Sequence, residues 1–324
     1  MIEYAVEDLD SCAYLAASVA NKVIYQWENI ETKELSPEFL SAQKAKDWIE
    51  TEKGFEGLNP KEWKRNKREE DLGLPHALKA LDNEMKSWSR TAIALTGNHN
   101  IKRLGYLTRS GLKDKDKKGL PKRYQHNRYD KKGLDYDDWV PKPRPKHLKA
   151  CREHILTYYD YVKLSPEGIE ADALCVMMAE KYGKKAVLMS KDKDLKQATL
   201  VNYIDMNPKE RFRKMIFINE LGHVDLVEVR PNDFEVQGTG FKLFCAQTCK
   251  GDPSDGYSGI RLYGDKKAFN LLDGCNSIEE CCEKMVTLYK ESYPEGFSYK
   301  SWDGVKMKLT WQQALAQHSL LAYH

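Results

Sequence analysis

Nothing in the chain comes near the roughly 18 consecutive apolar residues that a membrane-spanning helix needs. No basic stretch followed by an apolar one opens the sequence, so no secretory signal is expected and the cytosol is the expected compartment. Internal repeats and low-complexity tracts are missing apart from one lysine-rich segment. Among the eight cysteines there is no CxxC pair, and no His-x3–5-His pair lies near them. Cys245-x3-Cys249 and Cys281-Cys282 leave a zinc reading open, but reduced thiols acting as small buried hydrophobes suit a cytosolic protein better. Net charge is scarce too, at +3 over 324 residues. With 31% charged and 10% aromatic residues, the composition is that of a folded globular protein long enough for one large domain or two smaller ones.

The near-balance of charge conceals a division. Between Lys102 and Arg128 stand ten Lys/Arg against two acids, Asp114 and Asp116, a local balance of +8. Acids gather elsewhere in short clusters: Asp8/Asp10, Glu170/Asp172, Asp192/Asp194 and Asp252/Asp255. Basic material to hold a polyanion and acidic material to hold cations are thus separated along the chain.

Apolar patterning predicts strands at 4–6, 91–96, 185–190 and about 200–204, and helices over about 13–24, 146–163 and 167–182. Residues 28–90 read as helices broken near Pro37, Gly54 to Pro60 and Gly73-Leu74-Pro75. This alternation predicts an α/β fold with a mostly parallel central sheet flanked by helices. From about Val236 the pattern becomes helix, glycine turn, helix. The expected division is therefore a core over 1–235, with the basic segment at about 102–128, and a smaller helical region over 236–324.

In a parallel sheet, functional groups collect at the carboxyl ends of strands. Asp8, Asp192 and Asp194 fall at expected strand ends, and Glu170 and Asp172 open a helix. Each cluster alone could be an ordinary turn or a helix start favoured by the helix dipole. Together they would repel one another unless cations neutralise them, and hard oxygen ligands without histidine favour Mg²⁺ or Mn²⁺. Two such ions can activate a water and stabilise the leaving oxygen in phosphodiester cleavage. Gly251-Asp252-Pro253-Ser254-Asp255-Gly256-Tyr257-Ser258-Gly259-Ile260, running on to Gly264-Asp265-Lys266-Lys267, sets two carboxylates before a glycine turn that ends in lysines. Backbone N–H groups at such turns attract phosphate.

These residues together resemble the flap endonuclease/5′→3′ exonuclease superfamily, PIN-like in fold, and within it the exonucleases of short-tailed bacteriophages. Five stretches carry the resemblance: Asp8-Leu9-Asp10 with Tyr14; Leu95 to Arg103; Tyr124-Gln125-His126-Asn127-Arg128; Gly168 to Asp172 with Ser190 to Leu195; and the glycine turn with Gln247 ahead of it. They span about residues 2 to 270, and the tail from about 271 carries no readable motif.

The resemblance implies two Mg²⁺, replaceable by Mn²⁺, held by Asp8, Glu170, Asp172, Asp192, Asp194, Asp252 and Asp255. It implies a helix–three-turn–helix at the glycine turn gripping duplex phosphates through Gly256, Tyr257, Ser258, Gly259, Gly264, Lys266 and Lys267, with K⁺ on backbone carbonyls. Lys102, Arg103 and Lys191 or Lys193 become candidates for stabilising developing negative charge, and Tyr124, Asn127 and Arg128 for taking the 5′ strand. The implied substrate is double-stranded DNA with a 5′ end or flap, or an RNA–DNA primer duplex. The implied setting is a monomer in the host-cell cytoplasm, working with replication proteins in bacteriophage primer removal, or in DNA degradation and recombination. The sequence departs from the family pattern at Gly97 and Ala173, where many relatives carry Asp, and at Gly256, Ser258 and Leu262 in the turn. The missing acids at 97 and 173 keep one rival in view, a DNA-binding clamp of the same fold that has lost catalysis; a second rival is a PIN-type RNase, which would lack the glycine hairpin.

Overall fold

The computed structural model describes residues 1–50, 60–109, 129–130, 140–207, 212–252, 257, 259–302 and 304–323. In chain order the first elements are β1 (Tyr4–Asp8), α1 (Asp10–Val19), β2 (Asn21–Asn29), α2 (Ala42–Trp48), β3 (Trp63–Asp71), α3 (Leu74–Thr96), β4 (Lys102–Leu107), β5 (Tyr129–Asp130) and β6 (Val140–Pro141). Next come α4 (Leu148–Tyr158), β7 (Val162–Leu164), α5 (Ala171–Tyr182), β8 (Ala186–Ser190), β9 (Val201–Asp205), β10 (Met215–Ile218), β11 (His223–Arg230) and β12 (Asp233–Thr239). The last are α6 (Gly240–Lys250), α7 (Asp265–Leu272), α8 (Ile278–Ser292), β13 (Phe297–Lys300), β14 (Lys306–Leu309) and α9 (Trp311–Ala322). No helix among the described residues is long and apolar enough to cross a membrane.

The chain forms two compact units, one of Met1–Ser11, Trp88–Pro143 and Asp160–His324, the other of Cys12–Ser87 and Arg144–Tyr159. The boundary expected after residue 235 falls inside β12, and the helices that follow belong to the first unit.

The first unit holds a mixed sheet in the order β10-β9-β8-β1-β4-β7, parallel except for β10. The expected parallel α/β sheet is present. The chain moves outward from β1 through β4 to β7, then returns through α5 to β8 on β1's other side. That reversal makes the carboxyl ends of β1 and β8 the switch point, where a crevice forms in open parallel sheets. Alternation along β1 decides the faces. Val6 packs with Tyr106, Leu188 and the α5 residues Cys175, Val176 and Ala179. Glu7 points to the opposite face.

A second core gathers α6 to α9 and the β11–β12 hairpin around Cys245, Ala246, Cys249, Leu272, Cys281, Met285 and Tyr289. Seven of the eight cysteines are buried and only Cys282 is exposed, as small hydrophobes would be.

The second unit is built on the long β2–β3 hairpin, nine residues paired with nine, with α2, most of α1 and α3, and α4. Its tryptophans pack: Trp63 is buried against Trp48, and Trp27 Nε1 donates to Ala45 O at 2.6 Å.

Several expected elements are corrected. Residues 91–96 are the end of α3, not a strand, because Ala77, Leu81, Met85, Trp88 and Ala92 recur every three or four residues and are all buried. Gly97, at φ +67°, stops that helix. The strand between β1 and β7 is instead β4, inside the basic segment at 102–128. Its Gly105 is there for closeness, since a Cβ would stand 2.6 Å from Leu9 Cδ1. α1 ends at Val19, and 21–29 is strand. Within 28–90 the helical reading holds at α2 and from Leu74 onward, whereas 63–71 is the strand β3, and β12 extends through Thr239 before α6 begins.

Candidate active site

Asp8 closes β1 on the α5 face and is only 5% exposed, although it is a carboxylate. Ser190, the last residue of β8, donates from Oγ to Asp8 Oδ2 at 3.2 Å. The same hydroxyl accepts from the Asp192 N–H at 2.9 Å, and Asp192 Oδ1 accepts from the Asp194 N–H at 3.0 Å. The turn is fixed from beneath by Tyr203, whose hydroxyl donates to Asp192 O at 3.1 Å. Asp10 N–H donates to Asp8 Oδ1 at 3.2 Å, while Asp10 Oδ2 accepts from Thr108 N–H at 3.0 Å. Thr108 Oγ1 in turn accepts from the Ala171 N–H at 2.8 Å, which sets Glu170 and Asp172 at the start of α5.

Three carboxylates therefore act on the buried fourth, Asp8. Burial pushes the Asp8 carboxyl well above its usual range, and Asp10, Asp172 and Asp192 push it further. The Cys175 thiol is raised by burial and then by Asp8 and Asp172. Concentrated carboxylate at a sheet's switch point invites a cation, and the donor set is all hard oxygen. Among the described residues, no three Asp, Glu, His or Cys side chains are close enough to enclose one ion. The fit to Mg²⁺ or Mn²⁺ rests on donor chemistry and on the raised Asp8 carboxyl.

Asp194 is reached from the helical core. Gln247 of α6 donates from Nε2 to Asp194 Oδ1, and Gln197 donates from Nε2 to Gln247 Oε1 and, at 2.7 Å, to the carbonyl of Ala322 at the end of α9. The last turn of the tail is thus linked through two buried amides to an acid of the site. Asp252 bridges to Tyr257, its carbonyl accepting the Tyr257 N–H at 3.3 Å.

Other expected residues fall elsewhere. Lys102 pairs in register with Tyr4 at the opposite end of the sheet, four residues or about 13 Å along the strand from Asp8, with its ammonium 5.8 Å from the Tyr4 ring. Arg103 lies on the opposite sheet face, its Nε and Nη2 held by Glu7 at 2.6 and 2.7 Å and its guanidinium 4.3 Å from the Tyr161 ring. Neither is placed to touch substrate at Asp8. Among the described residues, a cation at the carboxyl end of β4 is Arg109, whose backbone N–H donates to Ser165 Oγ at 3.2 Å. Lys191 sits over the Trp88 ring at 6.0 Å, and Lys193 pairs with Glu235.

In the glycine turn, Tyr257 is 1% exposed and donates to Gln247 O at 3.3 Å, so it is a core residue and not a DNA contact. Gly259 is also buried, at φ +59°, and a Cβ there would stand 2.4 Å from Gly251 N. Its glycine is required by the backbone of α6's end. Gly264, Lys266 and Lys267 are exposed where α7 begins, and nothing lies within 4 Å of a Cβ built on Gly264. Leu262 keeps a glycine-like φ of +59° and is 81% exposed. Asp255, Gly256 and Ser258 of the turn, and Tyr124, Asn127 and Arg128 of the basic segment, lie outside the described residues.

Sequence reading left Asp10, Thr108, Ser190 and Arg109 without assigned roles. Asp8-x-Asp10 and the serine preceding Asp192 were available signals. Thr108 and Arg109 could not be seen once the strand was placed at 91–96.

No protein-family model matches the chain, and no curated protein does. Among solved structures the chain is similar to a point variant of the bacteriophage T5 5′-exonuclease, at 16% identity and TM-score 0.34, over 73% of this chain and 77% of that one. It is similar also to the bacteriophage T5 flap endonuclease in a pseudo-enzyme-product complex with DNA and metal ions, at 15% identity and TM-score 0.35, over 73% and 77%. A third similar structure is the T5 5′-exonuclease with divalent zinc bound, at 14% identity and TM-score 0.33, over 74% and 88%.

Proposed function

We propose that the chain is a divalent-metal-dependent nuclease that hydrolyses DNA from 5′ ends or flaps. The observation that carries this is the buried Asp8 carboxyl at the sheet's switch point, raised by burial and by Asp10, Asp172 and Asp192. A folded protein keeps such a cluster at a cost, and that cost is recovered when cations occupy it.

Asp8, Glu170, Asp172, Asp192, Asp194, Asp252 and Asp255, joined by Asp10, would hold two Mg²⁺ or Mn²⁺. When bound, such ions supply Lewis-acid activation of a water and stabilisation of the leaving oxygen. The chain's own residues do the positioning. Ser190 orients Asp8 and ties it to the turn of Asp192, and Tyr203 holds that turn from below. Thr108 braces Asp10 and the start of α5. Gln247 orients Asp194. Arg109 supplies positive charge at the same end of the sheet, in the role that the sequence suggested for Lys102 and Arg103.

Duplex phosphates would meet the start of α7, where Gly264 leaves the backbone open and Lys266 and Lys267 flank it, as in a helix–three-turn–helix. K⁺ on the turn's carbonyls would complete that grip. The basic segment, with Tyr124, Asn127 and Arg128, would take the 5′ single strand by stacking and charge. RNA-primed duplexes and replication proteins remain within this proposal. A clamp that holds DNA without cutting it is the second reading, favoured because no three acids among the described residues are grouped to hold one ion. Incubation with 5′-labelled flap, nicked and RNA-primed duplexes, in Mg²⁺ and in EDTA, separates the two. Mg²⁺-dependent release of 5′ products is expected, and tight binding without products would support the clamp.

A further inference from the structure

The tail after residue 271 carries a second surface that the proposed site does not use. β13 and β14 pair antiparallel, with Ser298 opposite Lys308 and Lys300 opposite Lys306. Period-two alternation puts Phe297, Tyr299, Met307 and Leu309 on one face and Ser298, Lys300, Lys306 and Lys308 on the other. The first face is anchored. Phe297 lies 4.9 Å from the Tyr293 ring and 6.0 Å from the His318 ring, and Tyr299 shares a 3.2 Å hydrogen bond with Gln317 of α9. The second face is exposed, with a shallow recess of about 400 Å³ over it.

Like charges directly opposite on a sheet are destabilising. Here Lys300 faces Lys306, Lys308 follows two residues on, and among the described residues no carboxylate pairs with any of the three. The β2–β3 hairpin of the same chain shows the ordinary solution. There Lys22 pairs with Glu70 at 3.5 Å, Lys33 with Glu28 at 3.6 Å, Lys67 with Glu69 at 2.7 Å and Arg68 with Glu38. A hairpin with its cations neutralised is a solvated structural surface. A hairpin with three lysines on one face, two of them directly opposite each other, and an anchored apolar back holds charge ready for an external anion.

We propose that the outer face of β13–β14 docks the phosphate backbone of nucleic acid, as a second contact for the DNA that the nuclease site cuts. This rests on the nuclease reading for the identity of the polyanion. Adjacent lysines on β14 are about 6.7 Å apart along the strand, and the partner strand adds a third across it, so the face suits a run of phosphates better than a single one.

The test is equilibrium binding of a 5′-labelled duplex in EDTA, so that cleavage plays no part, over a series of NaCl concentrations. The variants are Lys300→Gln/Lys306→Gln/Lys308→Gln and the corresponding triple Lys→Arg. Three lost phosphate contacts lower the slope of log affinity against log salt by about 2.7, so between about 50 and 200 mM NaCl the wild type should lose about forty-fold more affinity than the Gln variant. The Arg variant should match the wild type. Far-UV circular dichroism and thermal melts should show the Gln variant folded and no less stable. An unchanged slope with cleavage intact overturns this proposal and leaves the nuclease reading standing. A changed slope without any Mg²⁺-dependent cleavage by the wild type overturns the nuclease reading alone. No binding of DNA by the wild type overturns both. Charge-dependent binding to phosphatidylserine vesicles, with the DNA slope unchanged, would assign the face to a membrane surface and overturn the proposal.

Discussion

Arg103 separates the structural account from the expectation that sequence alone supports. In the fold its guanidinium makes two parallel hydrogen bonds, 2.6 and 2.7 Å, to a Glu7 carboxylate that is fully buried, while Arg103 itself is 13% exposed. Burial pushes the Glu7 carboxyl up, and Arg103 opposes that rise by charge and by hydrogen bonding. Arg103→Ala would strand Glu7 in the interior without its partner. Breaking a buried pair from one side costs about 3–5 kcal/mol, against a whole-domain stability of about 5–15 kcal/mol. The double variant Glu7→Leu/Arg103→Met replaces the pair with apolar groups of similar bulk and should recover most of that loss. Urea unfolding followed by circular dichroism gives the stabilities, and turnover per folded molecule on a 5′-flap duplex gives the activities. Arg103→Ala should lose stability by the stated amount while the folded fraction keeps turnover within about threefold of wild type. Stability within about 1 kcal/mol of wild type combined with a hundredfold loss of turnover would refute the reasoning and restore Arg103 to the reaction.

Three further outcomes are expected. His318 is buried among Tyr257, Tyr289 and Phe297, and burial pulls it down to about 4, from an unfolded value of about 6.5. The fold thus favours neutral histidine, so stability should fall by about 3 kcal/mol as pH drops from about 6.5 to about 4 and show no such dependence above. Urea midpoints of wild type and His318→Gln across that window should diverge, and parallel curves would contradict it. Gly259→Ala meets backbone at 2.4–2.5 Å with φ +59° and should cost about 2–5 kcal/mol, whereas Gly264→Ala meets nothing and should stay within about 1 kcal/mol. Equal thermal shifts for the two would count against the described turn. Gln247→Ala leaves buried Gln197 and the Asp194 carboxylate without their shared amide. It should cost about 1–3 kcal/mol and weaken Mn²⁺ binding, measured by calorimetry, by about 10–100-fold. Unchanged Mn²⁺ affinity would remove Gln247 from the site's support.

What the residues disclosed in advance follows the strength of local patterning. Ala186 to Ser190 is a short apolar run buried on both sides, and Glu170 to Tyr182 has a clear helical start, so β8 and α5 were legible, and with them the places of Asp192 and Asp172. Thr91 to Thr96 is equally apolar, and a run of six cannot by itself distinguish a strand from the end of a 23-residue helix. That single ambiguity displaced the neighbouring strand, and so hid Thr108 and Arg109 and gave Lys102 and Arg103 the wrong surroundings. β3 was hidden for another reason. Its residues Lys64 to Asp71 are mostly charged and exposed, and their pairing with β2 comes from sequence far away. Tyr257 looked like a DNA contact because a motif shows spacing and not burial. Only the packing against His318 and the hydrogen bond to Gln247 O place it inside.

The central claim is that the acids around Asp8 cut DNA. Asp192 is exposed, so Asp192→Asn removes one charge without disturbing the core. The most direct measurement is single-turnover cleavage of a 5′-labelled flap duplex in Mg²⁺ by wild type and Asp192→Asn, beside duplex binding in EDTA. The account predicts Mg²⁺-dependent cleavage by the wild type, a loss of about a hundredfold or more in the variant, and binding within about threefold. Wild-type rates from Asp192→Asn, or no Mg²⁺-dependent cleavage by the wild type, would contradict it.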